Sequence, residues 1–384
     1  MTHPKPPSPR DPAVPADVGL DETVAPPTPV PGAVRPTAPG VRPAHAETAP
    51  LGAQDSLSGF DVALAPGAEA GEYVIEARIG EGAFGDVYRA SHPLIGKVVA
   101  VKVLKMRYSV DPEIVSRFVA EARAVNTIQH PHIVDIFAFG ALPDGRQYYV
   151  MELLEGRALR DELAARGALG LAEAVQILAP IAEALDAAHA HGIAHRDLKP
   201  DNIFLRGDAQ RGWRPKLLDF GVAKLLHDDD VAHGTATGAP VGTPAYMAPE
   251  QCLGRDVDTR ADLYAFGVVA YEVLGGALPF TGTSAFELMS QHIHAQAPRL
   301  DTLNPALPDA AVRLIDALLA KDPGDRPAPL TAVADHLRAA AAGAGDPVRE
   351  VLSSGQLTVP RPAFAEPKPR GWPTPAVAFA VAAV

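Results

Sequence analysis

Cysteine is nearly absent: Cys252 is the single one in 384 residues, which excludes an internal disulfide framework and a cysteine-based metal cluster. Basic residues are in deficit, with 34 Lys and Arg against 46 Asp and Glu and a net charge of −12. That balance argues against a chain whose main task is neutralising nucleic-acid phosphates, so no nucleic-acid partner is expected. The amino terminus, MTHPKPPSPR, runs on into more proline and offers no apolar stretch. No secretory signal is therefore expected, and the folded part is placed in the cytoplasm. Aromatics are sparse at 6%, but 47% hydrophobic and 21% charged positions are enough to bury a core and argue against a disordered or fibrous chain. At about 100 to 200 residues per domain, two structural units are expected.

Proline divides the chain. Fifteen of the 39 prolines fall in residues 1–70, a stretch whose one aromatic is Phe60 and which has neither helical nor strand periodicity. Such a segment buries too little surface to offset its ordering entropy, so 1–70 is read as a disordered Pro/Ala-rich tail, either a solvated linker or a docking arm. Residues 71–340 are read as one folded domain, with an N-terminal part over about 71–152 and a C-terminal part over about 155–340. A Pro-rich linker over 343–374 follows. Lys368 and Arg370, then Trp372, then apolar residues from Ala376 to Val384 predict the first turns of a transmembrane helix within 375–384. A full span needs about 20 apolar residues.

Within the domain, YVIEARIG (73–80), DVYRA (86–90) and KVVAVKVL (97–104) read as strands, and HIVDIFAFG (132–140) and RQYYVMELL (146–154) as two more. Asp111-Pro112-Glu113 is a cap followed by proline in the first turn, and Ile114, Phe118, Glu121 and Val125 then recur on one helical face. From Leu159 to about Ala341 the pattern is mainly helical, and the nearly all-apolar run Leu263 to Leu274 marks a buried central helix.

Three features bear chemistry. Gly80, Gly82 and Gly85 lie in a turn between two strands, where missing side chains let backbone N–H groups approach phosphate oxygens. A strand and not a helix follows, which speaks against a dinucleotide-binding unit. Lys102 faces inward from an apolar strand, and Glu121 lies on the apolar face of the helix; pairing the two resolves the cost of burying each. His195-Arg196-Asp197-Leu-Lys199-Pro-Asp-Asn202 follows a helical stretch, and Asp219-Phe220-Gly221 follows KLLDF. His189, His191 and His195 do not share a helix face, His292 and His294 lack a carboxylate or thiol neighbour in sequence, and Asp228 to Asp230 reads as a solvated loop, so none is taken as a metal site.

With Ala248-Pro249-Glu250 closing the segment, these motifs in this order resemble the eukaryotic-like (Hanks-type) protein kinases of the bacterial serine/threonine branch, over about residues 73–340. The resemblance implies an α+β bilobal fold, with a small β-rich N-lobe carrying one helix and a larger, mainly helical C-lobe. It implies ATP and Mg²⁺ as cofactors, with the metal on Asn202 and Asp219, Asp197 as base, Lys199 at the transferring phosphate, and Lys102 paired to Glu121. Adenine would sit between Val87 and Ala100 above and Phe204 below, against the backbone of Glu152 and Leu154 beyond Met151. Phe204 is bulkier than the leucine or methionine the family usually places there. Arg196 implies a phosphate on the activation segment, with Thr235 and Thr237 as acceptors ahead of Thr243. Asp262 resembles the aspartate that anchors the catalytic loop, and Glu250 and Arg326 the buried ion pair of the large lobe. Protein substrates with Ser/Thr acceptors follow, as do a transient homodimer for trans-autophosphorylation and an anchor to the inner face of the membrane. The alternatives are a pseudokinase scaffold, whose usual mark is a lost lysine or aspartate, and a small-molecule phosphotransferase, which generally lacks the Ala-Pro-Glu closure.

Overall fold

The computed structural model describes residues 62–343 except Ala83 and residues 221–243; the side chains of Arg117, Glu121 and Ala124 also lie outside the description. The N-terminal lobe is built on β1 (Glu69–Ala70), β2 (Tyr73–Glu81), β3 (Gly85–Ser91), β4 (Val98–Leu104), β5 (Ile136–Ala141) and β6 (Gln147–Glu152). They form one antiparallel sheet in the order β1-β2-β3-β4-β6-β5. Strand alternation divides its two faces. Val99, Val101 and Val103 of β4 join Tyr88, Tyr148 and Val150 in an outer core, which leaves Ala100 and Lys102 on the opposite, cleft-facing side.

The outer core also orders residues 62–70, which differs from the reading of the whole 1–70 segment as a disordered tail. Leu64 and Ala68 pack on that core. The buried Arg146 guanidinium donates to the Val62 carbonyl at 2.9 Å, and the Leu64 N–H donates to the Tyr88 hydroxyl at 3.1 Å. Buried polar groups need partners, and this strap supplies them.

Two helices, not one, interrupt the sheet: the single turn α1 (Met106–Ser109) and α2 (Pro112–Ile128). Asp111 caps α2 as its sequence predicts, its Oδ1 accepting from Glu113 N–H at 2.8 Å and Ile114 N–H at 3.4 Å. Phe118 and Val125 face the core. The strand expected over 132–140 is shorter at its start. There the chain turns through His130-Pro131-His132, and Ile133 bridges to Leu217 in the other lobe.

The C-terminal lobe contains α3 (Leu159–Arg166), α4 (Leu171–Ala190), α5 (Pro249–Cys252), α6 (Arg260–Gly275), α7 (Ala285–His294), α8 (Asp309–Leu318) and α9 (Leu330–Ala341). Every residue of α6 from Ala261 to Leu274 is buried, and each fully buried large apolar side chain contributes about 1.5–3 kcal/mol. Gly267 lets α8 approach, since a Cβ there would stand 2.7 Å from that of Leu318. The mainly helical reading passed over a three-stranded sheet of β7 (Arg157–Ala158), β8 (Ile203–Asp208) and β9 (Gly212–Leu217). Of these strands the sequence reading marked only KLLDF, which begins within β9. Among the described residues no helix is long and apolar enough to cross a membrane; 375–384 lie outside them.

Candidate active site

The glycine turn joins β2 to β3, closed by a Gly82 N–H to Gly85 carbonyl bond of 2.9 Å. Gly85 has a packing reason as well as a chemical one: a Cβ there would collide with the Val103 carbonyl of β4, whereas one at Gly80 would meet Val87 at an ordinary 3.6 Å. Register does the rest. Val87 pairs with Lys102, Lys102 with Tyr149, and Ala100 with Met151. Paired residues point the same way, so Val87, Ala100 and Lys102 line the cleft side of the sheet.

Lys102 reaches across the cleft, its Nζ 2.7 Å from Asp219 Oδ1. Tyr149 donates its hydroxyl to the same oxygen at 3.3 Å and stacks on Phe118 of α2 with ring centroids 4.9 Å apart. Asp219 holds a left-handed φ of 42°. Burial would raise its carboxyl, but the ammonium of Lys102 and the Tyr149 hydroxyl outweigh it and hold the group below the usual carboxylate range. Glu121, the other expected partner of Lys102, lies within α2, with its side chain outside the description. The sequence reading missed Tyr149; its place opposite Lys102 in the sheet was the available signal.

The catalytic-loop residues converge below. Asp197 Oδ2 accepts from Lys199 Nζ at 2.8 Å and from Asn202 Nδ2 at 3.3 Å, and Asn202 Nδ2 also donates to the Asp197 carbonyl at 2.8 Å. Arg196 is left-handed, with φ of 62°. The buried Asp262 carboxylate holds that turn: it accepts from His195 N–H (2.7 Å), Arg196 N–H (2.8 Å) and His189 Nε2 (2.7 Å). His195 donates through Nε2 to the Leu218 carbonyl at 2.9 Å and packs on Phe220 at 4.8 Å, so the loop and the Asp219 segment share one wall. Burial depresses the His195 imidazole and keeps it neutral. The Arg196 guanidinium donates to the Val257 carbonyl at 3.2 Å, while its buried Nε has no hydrogen-bond partner among the described residues. Thr235, Thr237 and Thr243 lie outside the described residues.

Phe204 lies on β8, in register with Ala158 and Lys216, and Leu154 in the half-buried segment between β6 and β7. Gly156, which the sequence reading also missed, has φ of 152°; a Cβ there would overlap the Leu205 carbonyl and approach Phe204 to 3.1 Å. The donor set fits a hard cation. Both Nδ2 bonds of Asn202 go to Asp197, which leaves its amide oxygen for other work, and Lys102 and Tyr149 take only one oxygen of Asp219.

A two-lobed fold with a lysine strand above and an aspartate loop below is the arrangement of the protein kinase class. The protein kinase domain profile matches residues 73–337, and the chain belongs to that family. Its relatives place it in the bacterial serine/threonine branch. Serine/threonine-protein kinase Pkn1 of Myxococcus xanthus is 44% identical over 300 residues, 78% of this chain and 41% of that protein. Serine/threonine-protein kinase PknA of Mycobacterium tuberculosis is 39% identical over 281 residues, 72% of this chain and 63% of that one. The chain thus spans less than two thirds of either relative. Among solved structures, the Mycobacterium tuberculosis PknI kinase domain is 29% identical with a TM-score of 0.57, covering 72% of this chain and 100% of that one. Rad53 in complex with AMP-PNP is 30% identical with a TM-score of 0.56, covering 68% of this chain and 64% of that one.

Proposed function

We propose that this chain transfers the γ-phosphoryl group of ATP to serine or threonine hydroxyls of proteins. The observation that carries the reading is the Asp197 carboxylate, held by Lys199 and Asn202 across the cleft from the Lys102–Asp219 pair. Val87, Ala100 and Phe204 supply apolar walls for adenine, and the backbone of Glu152 and Leu154 its edge contacts. The glycine turn with Gly80, Gly82 and Gly85 covers the phosphates. Lys102 neutralises them, and Glu121 is proposed to orient Lys102.

Asp219 and Asn202 are the residues that would hold Mg²⁺, which when bound would supply positive charge against the transferring phosphate. Asp197 orients the acceptor hydroxyl and accepts its proton as the new oxygen–phosphorus bond forms and the bond to the ADP oxygen breaks. General bases contribute about 10²–10⁴-fold to rate. Lys199, bonded to the same carboxylate, neutralises the transferring group. AMP-PNP in the Rad53 relative supports a nucleotide in this cleft.

Arg196 suits a phosphate acceptor, because its guanidinium has a buried donor without a partner among the described residues. We propose Thr235 and Thr237 as its phosphorylated partners, modified in trans within a transient homodimer. The test is purified full chain incubated with Mg²⁺ and γ-labelled ATP. Label on serine or threonine is expected in the wild type, with none in Lys102→Met, Asp197→Asn or Asp219→Ala. Near-normal labelling by folded Asp197→Asn would remove the proposed base.

A further inference from the structure

Lys216 lies on β9, three residues before Asp219, and is only 8% exposed. Its Nζ donates to Glu152 Oε1 at 2.5 Å and to the Ile133 carbonyl at 2.9 Å. The same Glu152 oxygen accepts the Asp135 N–H at 3.0 Å, and the Glu152 N–H donates to the Asp135 carbonyl at 3.0 Å. Three segments therefore meet on one ion pair: the exit of β6, the loop from α2 to β5, and β9 of the other lobe. The loop is itself stitched to β9. Val134 N–H donates to the Leu217 carbonyl at 3.1 Å, Leu217 N–H to the His132 carbonyl at 2.8 Å, and His132 Nδ1 to the Pro215 carbonyl at 2.8 Å.

A buried ion pair is a weak device for stability, since apolar residues of similar volume often serve as well. What it imposes is geometry. An ammonium with two fixed acceptors at this depth leaves the Glu152 side chain a single place to be, and the Glu152 backbone is held with it.

We propose that Lys216 is a positioning residue: by latching Glu152 to the α2–β5 loop and to β9, it fixes the β6 exit and sets nucleotide affinity without touching the nucleotide. The proposal rests on the reading of that exit as the adenine contact. Preorganising a binding segment raises affinity by removing the cost of ordering it on binding. The side chain that Lys216 fixes is that of Glu152 at the β6 exit, and Asp197 stands on the catalytic loop, so the latch acts on affinity and not on the chemical step.

The test is calorimetric titration of the full chain with Mg·ATP, alongside steady-state phosphorylation at saturating ATP. Lys216→Met is expected to weaken ATP binding about fivefold or more with kcat within twofold, and Lys216→Arg, which keeps a donor, to recover most of the loss. The double variant Lys216→Met with Glu152→Gln removes the unpaired carboxylate. It is expected to bind about as weakly as Lys216→Met, because the two residues act as one unit. It also supplies the reading if Lys216→Met alone does not fold. Wild-type ATP affinity in folded Lys216→Met, or in the folded double variant, overturns the latch and leaves the kinase reading intact. A wild type that binds no ATP at all overturns that reading, and the latch falls with it.

Discussion

Asp262 on α6 holds no substrate, yet Asp262→Asn is expected to lower activity and stability together, and the size of both effects follows from its bonds. Its two oxygens accept three donors: the His195 and Arg196 N–H groups and His189 Nε2. Burial would raise this carboxyl, but the bond from His189 and the charge beside it hold the group below its usual range, so it stands ionised at the centre of the lobe. An asparagine keeps one accepting oxygen and turns an NH₂ toward a backbone donor. At least one buried N–H is then unsatisfied, at about 1–3 kcal/mol, and the remaining bonds lose the strength that charge gives them. Arg196 gives the loop a reason to move, since its left-handed backbone stores about 1–3 kcal/mol of strain and persists only where neighbours over-determine it. We expect a total of about 2–4 kcal/mol, lowering the melting temperature by roughly 2–4 °C per kcal/mol. The relaxed loop displaces Asp197, and a misplacement of about 1 Å can cost 10²-fold in rate. Thermal unfolding by circular dichroism and kcat at saturating ATP measure the two effects. Both unchanged in Asp262→Asn would falsify the view that this carboxylate holds the catalytic loop in place.

Arg326 uses all five guanidinium donors, on both oxygens of Glu250 and on the carbonyls of Ala320, Arg260 and Lys321. Arg326→Met should cost about 3–5 kcal/mol in chemical unfolding, and Arg326→Lys should recover only part, because an ammonium lacks the fork; full recovery would mean that charge alone matters. The triple variant Lys102→Met, Asp197→Asn, Asp219→Ala should lose little more activity than the worst single variant, since the three act as a unit, and additive losses in kcat would refute that. Burial, with Arg326 nearby, pushes the Lys321 ammonium down to about 8. The unfolded chain therefore binds more protons between about pH 8 and 10.4, and stability from this site should rise with pH across that window; an unfolding series in which Lys321→Met shows the same slope as wild type would remove the assignment. Mass spectrometry of active enzyme should find phosphate on Thr235 or Thr237, and a fully active double alanine variant without modification would end that proposal.

Much of this fold was legible because period and punctuation agreed. The alternation in KVVAVKVL placed Lys102 on the cleft side of its strand, and Asp111-Pro112 fixed the start of α2. The all-round apolar run from Leu263 marked the helix that became α6. What stayed hidden depends on partners distant in sequence. Tyr149 reads as one more strand aromatic until register sets it opposite Lys102 and beside Asp219. Lys216 looks like a solvated strand residue, because nothing local shows that Glu152 and the Ile133 carbonyl, 64 and 83 residues away, will enclose it. Residues 62–70 carry too few apolar side chains to order themselves. They are ordered by the needs of Arg146 and Tyr88, and composition alone cannot report a partner's needs.

The two halves of the site are thereby anchored in different places. Lys102 stands on a sheet whose outer core of Tyr88, Val101 and Val150 is separate from the main core, while Asp197 hangs from Asp262 on the most deeply buried helix of the other lobe. Asp219 belongs to both. It lies between Leu218, whose carbonyl accepts from His195, and Phe220, whose ring packs on that imidazole, and its carboxylate is held by Lys102 and Tyr149 from above. A shift between the lobes would therefore be felt at Asp219, which has a left-handed backbone and a depressed carboxyl. A group held by charge from one side and by packing from the other reports whether the lobes are together. The lobes share that residue in the same place where the proposed chemistry needs oxygen ligands.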